Sequence, residues 1–351
     1  MTIPFLEAAH LKATMEELDL ASQRFPLFRY FRRSMNAEGS IRIRGKAYQA
    51  KTGGYVGPDA APLPAAETAV TEMLVKPLWS KQKRSISNED LINMRDSWAE
   101  AQVMSDAAAA PVLARAQRRL NEYVNDVSMP VMEDMHAMFV RALLGTGTYT
   151  VGGVAKTISY GLTALTQPGT SWATTASATP VADIHAALEE FHENCGKPAT
   201  HVFYSPKMIN TYLLPNTDWT GYVKASPEVT NALLGLPSAS EMFDPQTGEI
   251  SVRLFGLTWV PVPGSALVSG SSTQRWATDK LTFAHLPAGI DVLTHEMSAD
   301  MMNGGVADRV LRSTLPDPAR DEVGVAKLIC EGNGAAAIHH RNYVQTWDVT
   351  T

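Results

Sequence analysis

The sequence predicts an α+β fold built around one very long helix. Three patterns support this prediction: a single apolar stripe from Ser105 to Leu144, a Gly- and Pro-rich two-strand pattern before it, and alternating helix and strand patterns after it. A length of 351 residues is enough for two or three domains with a substantial core. The elements are justified below in chain order.

Residues 1 to 40 hold short apolar groups, such as Phe5-Leu6 and Phe25 to Phe31, separated by polar residues. No closed core is expected here, so we predict an N-terminal arm that packs on another surface, with an ordinary pair of helices as the alternative. A secretory signal peptide is not expected, because acidic residues stand where its apolar region would be.

Basic residues are concentrated between Arg24 and Lys51. This stretch has eight Arg and Lys against one acid, Glu38, whereas the whole chain has a formal net charge of -6. The segment from Pro180 to Glu322 is acidic, with 17 Asp and Glu against 9 Lys and Arg. The overall charge gives no reason to expect a nucleic-acid binder, but the two regions could meet between subunits.

The pattern from Ile41 to Trp79 predicts a long two-stranded ribbon. Ile41 and Ile43 alternate with Arg42 and Arg44, Val70 to Val75 fits the return strand, and residues 51–67 between them are rich in Gly and Pro. An isolated hairpin is marginally stable in water, so this ribbon needs a partner surface. A phosphate-binding loop is not predicted here, because no Lys-Ser/Thr follows the glycines.

Ser87 to Asp90 predicts a capping box that opens a helix, and the long helix follows from Ser105 to Leu144. Its apolar residues recur every three or four positions, and Gly145 is placed to end it in a left-handed turn. Pro130 is expected to bend this helix without breaking it, because the stripe keeps its phase through the proline.

After this helix the sequence predicts a hairpin around Gly152-Gly153 and then an α/β region. That region begins with an amphipathic helix from Pro180 to Asn194, a strand from His201 to Tyr204 and a second helix after Ser205. The further strands are expected at Gly248–Pro263 (two strands), Arg275–His285, Ile290–Met297, Val323–Ile329 and Ala335–Trp347.

No pattern of catalytic or metal-binding residues is found. His185, His192 and Cys195 share one helix region, but no tight second pair completes a metal site, so a solvated helix face is favoured. His339-His340 would point to opposite faces of a strand. Cys195 and Cys330 are expected to be reduced and buried, which fits synthesis in the cytosol. We therefore predict no enzyme activity, no cofactor and no metal site, and no apolar run approaches membrane length.

Several segments carry a resemblance to a known family. They are LLGTGTYTV at the end of the long helix, KTISYGL with the loop to Trp172, PVADIHAALEEF, HVFYSPKMINTYLLPN, DPQTGEISV and FGLTWVPVPG. In content and order the chain from Ile41 onward resembles tailed-phage major capsid proteins, and more specifically the major capsid protein E family of lambda-type shells.

The resemblance implies the Hong Kong 97-type capsid fold, with a long spine helix, an extended loop, and peripheral and axial domains. The corresponding boundaries are 1–40 for the arm, 41–86 for the extended loop, 87–179 with 321–351 for the peripheral domain and spine helix 105–144, and 180–320 for the axial domain. The implied function is a structural one: self-assembly as hexamers and pentamers into an icosahedral shell that encloses double-stranded DNA.

The resemblance also implies partners and a location. The partners are other copies of the chain, scaffolding, portal and decoration proteins, and packaged DNA bound on the inner face without sequence specificity. The location is the virion capsid, assembled in the host cytoplasm, with no membrane contact. Two alternatives remain open: an encapsulin-like bacterial compartment of the same fold, and a soluble α/β enzyme with an unrecognised site.

In this family the arm and extended loop lie on neighbouring subunits, so the candidate inter-subunit residues are taken from these two segments. They are Arg29, Arg32, Arg33, Arg42, Arg44, Lys51 and Tyr55. Arg32 and Arg33 are expected to dock the arm on an adjacent subunit. Lys46 and Lys51 are candidates for a covalent link between subunits, although the lambda-type resemblance favours a shell without such links.

Overall fold

The computed structural model describes residue 11 and residues 25–36, 41–46, 70–75, 78–151, 154–225, 243–244, 249–250, 252–262, 265–268, 271–274, 276–298, 309–314 and 326–350. Helices and strands are mixed along the chain, which confirms the α+β prediction. The α-helices are Asn88–Val103, Asp106–Leu143, Pro180–Cys195, Pro206–Met208 and Thr217–Ala225, with a π-helical turn at Ile209–Leu213 and 3-10 turns at Pro26–Arg29 and Arg341–Tyr343.

The helix Asp106–Leu143, called the spine below, confirms the predicted long helix. Its 38 residues span roughly 57 Å at 1.5 Å per residue. The helix runs on through Pro111 and Pro130. Its apolar stripe is buried from Ala116 to Leu143, which provides packing energy that offsets the lost backbone hydrogen bonds. Gly145 follows with φ 84°, the left-handed conformation that was predicted to end the helix.

The preceding helix, Asn88–Val103, begins at the predicted capping box. The Ser87 hydroxyl accepts a hydrogen bond from the Asp90 amide at 3.1 Å and satisfies one of the free N–H groups of the first turn. The Asp90 carboxylate also accepts hydrogen bonds from Arg119 and Tyr123 of the spine. The cap therefore fixes the angle at which this helix meets the spine.

A mixed five-stranded sheet packs on the spine. Its strand order is Arg32–Asn36, Leu293–Ser298, Ala326–Ile338 and Arg309–Thr314. The fifth strand, Leu78–Ile86, pairs with Ala326–Ile338 on the edge opposite Arg309–Thr314. The pairing of Arg32–Asn36 with Leu293–Ser298 is parallel, and the other pairings are antiparallel. Ile86, Leu328 and Cys330 from this sheet join Leu120 and Val124 of the spine in one core.

The prediction of two closing strands at Val323–Ile329 and Ala335–Trp347 is corrected by the structure. One continuous strand covers Ala326–Ile338, and the 3-10 turn Arg341–Tyr343 separates it from the last strand, Val344–Asp348. Gly332 and Gly334, between the two predicted strands, lie inside this one strand. A Cβ on Gly334 would lie 2.2 Å from His295 Nε2 and 2.8 Å from the Glu296 carbonyl oxygen, so glycine is needed there for close backbone approach.

A second, six-stranded sheet lies next to the helix Pro180–Cys195. Its order is Val252–Leu254, Leu257–Pro261, His201–Tyr204, Lys280–Ala284, Val344–Asp348 and Thr163–Ala164. Trp172, Phe191, Trp259 and Trp347 form its core. The last strand of the chain thus joins the sheet that contains His201–Tyr204, although the sequence placed residues 321–351 with the spine. The domain boundaries themselves stay a prediction.

In the described part of the chain, four pairs of strands lie outside these two sheets. Ile41–Lys46 runs antiparallel to Val70–Val75, which confirms the predicted ribbon, and residues 47–69 between them lie outside the described residues. The predicted hairpin is formed by Thr146–Val151 and Val154–Ser159. The other pairs are Ser265–Val268 with Ser271–Gln274 and Phe243–Asp244 with Glu249–Ile250.

Candidate inter-subunit surface

The segment from Phe25 to Asn36, which contains three of the candidate arginines, packs on the spine of its own chain. Leu27 and Phe31 are buried, with exposures of 0% and 2%. The Phe31 ring stacks on Phe139 of the spine, with ring centroids 4.2 Å apart. For residues 25–36 the structure therefore differs from the expectation of an arm that packs on another surface. The reason is that Leu27, Phe28 and Phe31 gather on one side of the short turn and bury against the spine.

The strand Arg32–Asn36 then presents two arginines to solvent. Arg32 donates a hydrogen bond to the Asp291 carboxylate of its own chain at 3.0 Å, with side-chain exposures of 69% and 46%. An ion pair this exposed contributes only about 0–1 kcal/mol. Arg33 is also exposed, and Arg29 is exposed at the end of the 3-10 turn. The structure thus brings Arg29, Arg32 and Arg33 to one segment of the subunit surface.

The remaining candidates belong to the ribbon. Arg42 is paired in register with Leu74, and Arg44 with Glu72, on the two antiparallel strands. Lys51 and Tyr55 lie outside the described residues. Lys51 is also one of the two candidates for a covalent link between subunits. The candidate residues therefore form two groups, one on the subunit body and one on the ribbon, and their role between subunits stays a prediction.

A buried polar cluster anchors the strand next to Arg32–Asn36. Thr294 donates a hydrogen bond to Glu296 Oε1 at 2.8 Å, and His339 Nε2 lies 3.3 Å from the same oxygen. Burial acts to raise the pKa of Glu296, but the hydrogen bonds from His339 and Thr294 outweigh it and hold that pKa below its usual value. Sequence reasoning considered His339 only together with His340, as a pair that could not chelate a metal, and did not predict that His339 meets Glu296.

His185 and His192 lie on the exposed side of the helix Pro180–Cys195, and Cys195 and Cys330 are buried and form no disulfide. Within the described ranges no group of three or more His, Cys, Asp or Glu side chains is placed to hold a metal ion. Among the helices that the structure describes, none is long and apolar enough to cross a membrane.

Two open clefts flank the spine, and both are lined by charged side chains. One, of about 760 Å³, lies between the helix Asn88–Val103 and the spine, and its ion pairs join Arg119 to Asp90 and Glu122. Hydrogen bonds from Tyr123 and Ser87 lower the pKa of Asp90. The other, of about 440 Å³, lies beside Trp79, Asp134 and Arg141. The pairing of Asp90 with Arg119 ties the two helices together, and the hydrogen bond from Ser80 to Asp134 ties the strand Leu78–Ile86 to the spine.

Sequence reasoning missed the exposed apolar side chains of the subunit. In the described part of the chain the large ones are Trp79, Ile92, Val103, Met104, Leu214 and Ile290. Three of them lie on or directly after the helix Asn88–Val103. Their signal was present in the sequence as apolar residues on both sides of this helix, but periodicity alone could not tell which side faces the spine.

No family model and no curated protein matches this sequence. The fold, however, is similar to that of a solved structure, a prophage protein of E. coli CFT073 that is assigned as a capsid protein. The two share 13% sequence identity with a TM-score of 0.55, and the match covers 98% of this chain and 99% of the other. The chain has the Hong Kong 97-type capsid fold.

Other solved structures match this capsid fold with lower scores. A phage-related protein from Bordetella bronchiseptica RB50 shares 10% identity with a TM-score of 0.48, covering 93% of this chain and 91% of that one. The holo-SrpI encapsulin complex from Synechococcus elongatus PCC 7942 shares 11% identity with a TM-score of 0.47, covering 92% and 86%. The fold predicted from the sequence is confirmed, and the narrower lambda-type family stays a prediction.

Proposed function

We propose that this chain is the major capsid protein of a tailed phage and assembles, as hexamers and pentamers, into an icosahedral shell around double-stranded DNA. The observation that carries the proposal is the capsid fold, which extends over 98% of this chain and 99% of the prophage capsid protein. A match of this extent includes the spine, both large sheets and the ribbon, so the whole subunit has the architecture of a shell component.

The paired strands Ile41–Lys46 and Val70–Val75 support the same function. They form a ladder of their own outside the two large sheets. A two-stranded ribbon is marginally stable by itself and gains stability from a surface on which it lies. In a shell, that surface belongs to a neighbouring subunit, so assembly and ordering of the ribbon stabilise each other.

The proposed role is structural, with no substrate turnover. Several of the described charged groups contact each other: Asp90 forms an ion pair with Arg119, and Glu296 accepts a hydrogen bond from His339. The proposed partners are other copies of the chain, scaffolding, portal and decoration proteins, and DNA held on the inner face without sequence specificity. The proposed location is the virion, with assembly in the host cytoplasm.

Purification of the expressed protein tests this proposal. We expect closed particles of uniform diameter in negative-stain electron microscopy, with subunits that sediment as hexamers or pentamers before closure. A protein that stays monomeric at all salt and protein concentrations would contradict the shell function and favour the soluble enzyme.

The contents of particles made in the natural host separate a phage head from a compartment. A phage head is expected to protect double-stranded DNA of one length from nuclease. Particles that instead hold a defined enzyme and no protected DNA would establish the encapsulin-like alternative.

A further inference from the structure

The helix Asn88–Val103 has apolar residues on two opposite sides. One side packs toward the spine through Leu91, Met94 and Ala101. The other side carries Ile92 and Val103, with exposures of 48% and 85%, and the exposed Ala99 lies between them. Spacings of seven and four residues place these three on one line along the helix. We call this line the outer stripe.

An acidic row borders the outer stripe. Glu89, Asp96 and Glu100 are exposed and follow the same spacing of seven and four residues, so they run parallel to the stripe. The one basic side chain on this helix, Arg95, is bound to Asp96 at 2.9 Å. Two outer stripes that packed on each other would bring acidic rows close together. The complementary surface is therefore an apolar patch with a basic border.

Such a patch lies on the strand Leu78–Ile86. Trp79 is 46% exposed, and Lys81 and Lys83 follow on the same face because side chains alternate along a strand. The Lys81 ammonium lies 4.9 Å from the centroid of a Trp79 ring and binds Glu331 at 3.1 Å, whereas Lys83 is exposed. We call these three residues the tryptophan face.

The Val103 end of the outer stripe and Trp79 are held apart within one chain. Glu100 lines the same cleft as Ala116 of the spine, whereas Ser80, next to Trp79, donates a hydrogen bond to Asp134 at 2.6 Å. These two spine positions are roughly 27 Å apart along a straight helix at 1.5 Å per residue. The other ends of the two surfaces are closer to each other, because Arg84 pairs with Asp126 and Asp90 pairs with Arg119. A contact between Val103 and Trp79 therefore needs a second chain.

We propose that the outer stripe of one subunit docks on the tryptophan face of a second copy of this chain. The inference rests on the proposed shell function and names the partner surface within it. Val103 and Ala99 would cover Trp79, Ile92 would lie further along the same strand, and Glu100 would face Lys83. Because the contact joins two different surfaces, it generates a ring when its rotation closes. An exposed apolar stripe of this kind is otherwise a site of uncontrolled association.

A first experiment compares two double variants on the same helix. Ile92→Asn with Val103→Asn removes the outer stripe, and Asn93→Ala with Gln102→Ala changes two exposed polar positions beside it. We expect at least a tenfold loss of particle yield in sedimentation for the first variant and wild-type yield for the second, with unchanged circular dichroism for both. Equal yields from the two variants and the wild type would overturn the inference.

A second experiment exchanges charges across the proposed contact. Glu100→Lys and Lys83→Glu are each expected to lower particle yield, and the chain that carries both is expected to recover it, because the ion pair is restored with opposite orientation. A combined variant no better than either single one would overturn the assignment of the tryptophan face. If the wild type itself formed no particles, the shell function would fail. Normal assembly of every variant contradicts the docking contact alone.

Discussion

Replacing Phe31 with alanine tests whether residues 25–36 belong to the subunit core. Phe31 is 2% exposed and stacks on Phe139 with the ring planes 10° apart. Phe28 forms a T-shaped contact with the Phe139 ring, with the ring centroids 5.1 Å apart. Removing the Phe31 ring deletes the stack and leaves a cavity between this segment and the spine. Substitutions of this kind cost about 3–5 kcal/mol. The change should therefore remove a large part of the free energy of unfolding.

The assay is urea unfolding of the unassembled subunit, followed by circular dichroism. A loss of about 4 kcal/mol corresponds to a midpoint shift of roughly 1 M urea or more. Phe31→Leu should cost less, because leucine keeps most of the buried area while losing the aromatic stack.

Arg33→Ala is the matched control, since Arg33 is exposed two residues further along the same segment. Surface substitutions of this type change the free energy of unfolding by about 0.5 kcal/mol or less. If Phe31→Ala were as mild as this control, residues 25–36 would not be packed on their own spine. The arm would then extend through these residues to about residue 40, as the sequence first suggested.

Three other predictions concern the sheet beside the spine and the basic segment. Gly334→Ala should lower the free energy of unfolding by about 1–3 kcal/mol, since its Cβ would lie 2.2 Å from His295 Nε2, whereas Gly169→Ala, with open space around it, should be neutral in thermal unfolding. Glu296→Gln should be less stable than the wild type at neutral pH. Because hydrogen bonds lower the folded-state pKa of Glu296 below its usual 4.5, this difference should be lost as pH falls below 4.5, and a difference that persists in acid would contradict stabilisation of the ionised carboxylate by His339 and Thr294. Arg33→Glu should reduce assembly more at low than at high salt without unfolding the subunit, if the arginine docks on a neighbour. Normal particle yield in sedimentation at low salt would show that Arg33 is solvated instead.

Much of the fold could be predicted because its main signals are local. The spine has one uninterrupted apolar period, its end at Gly145 follows from glycine's access to positive φ, and the cap at Ser87 is a short motif. The strand His201–Tyr204 appears with its predicted bounds because an apolar run is followed directly by Ser-Pro, which begins a helix. In each case neighbouring residues alone decide the structure.

The misses involve contacts between distant parts of the chain. Two closing strands were predicted where the structure has one, and the close approach of His295, 39 residues away from Gly334, requires glycine within that strand. The meeting of Glu296 with His339 depends on how Leu293–Ser298 pairs with Ala326–Ile338. Strand pairing over such separations has no signature in a single sequence. For the same reason the exposed side of the helix Asn88–Val103 became visible only in the fold.

The charge asymmetry of the sequence is partly used within the folded subunit. Arg32 of the basic stretch binds Asp291 of the acidic region, whereas Arg33 of the same stretch is exposed. Further exposed charges lie outside both regions, at Lys83 and along the row Glu89, Asp96 and Glu100. Each such contact is weak, but a closed shell repeats the same contact at every interface. Small pair energies therefore add up over the particle, and charge complementarity can select one arrangement of subunits without making any single contact strong.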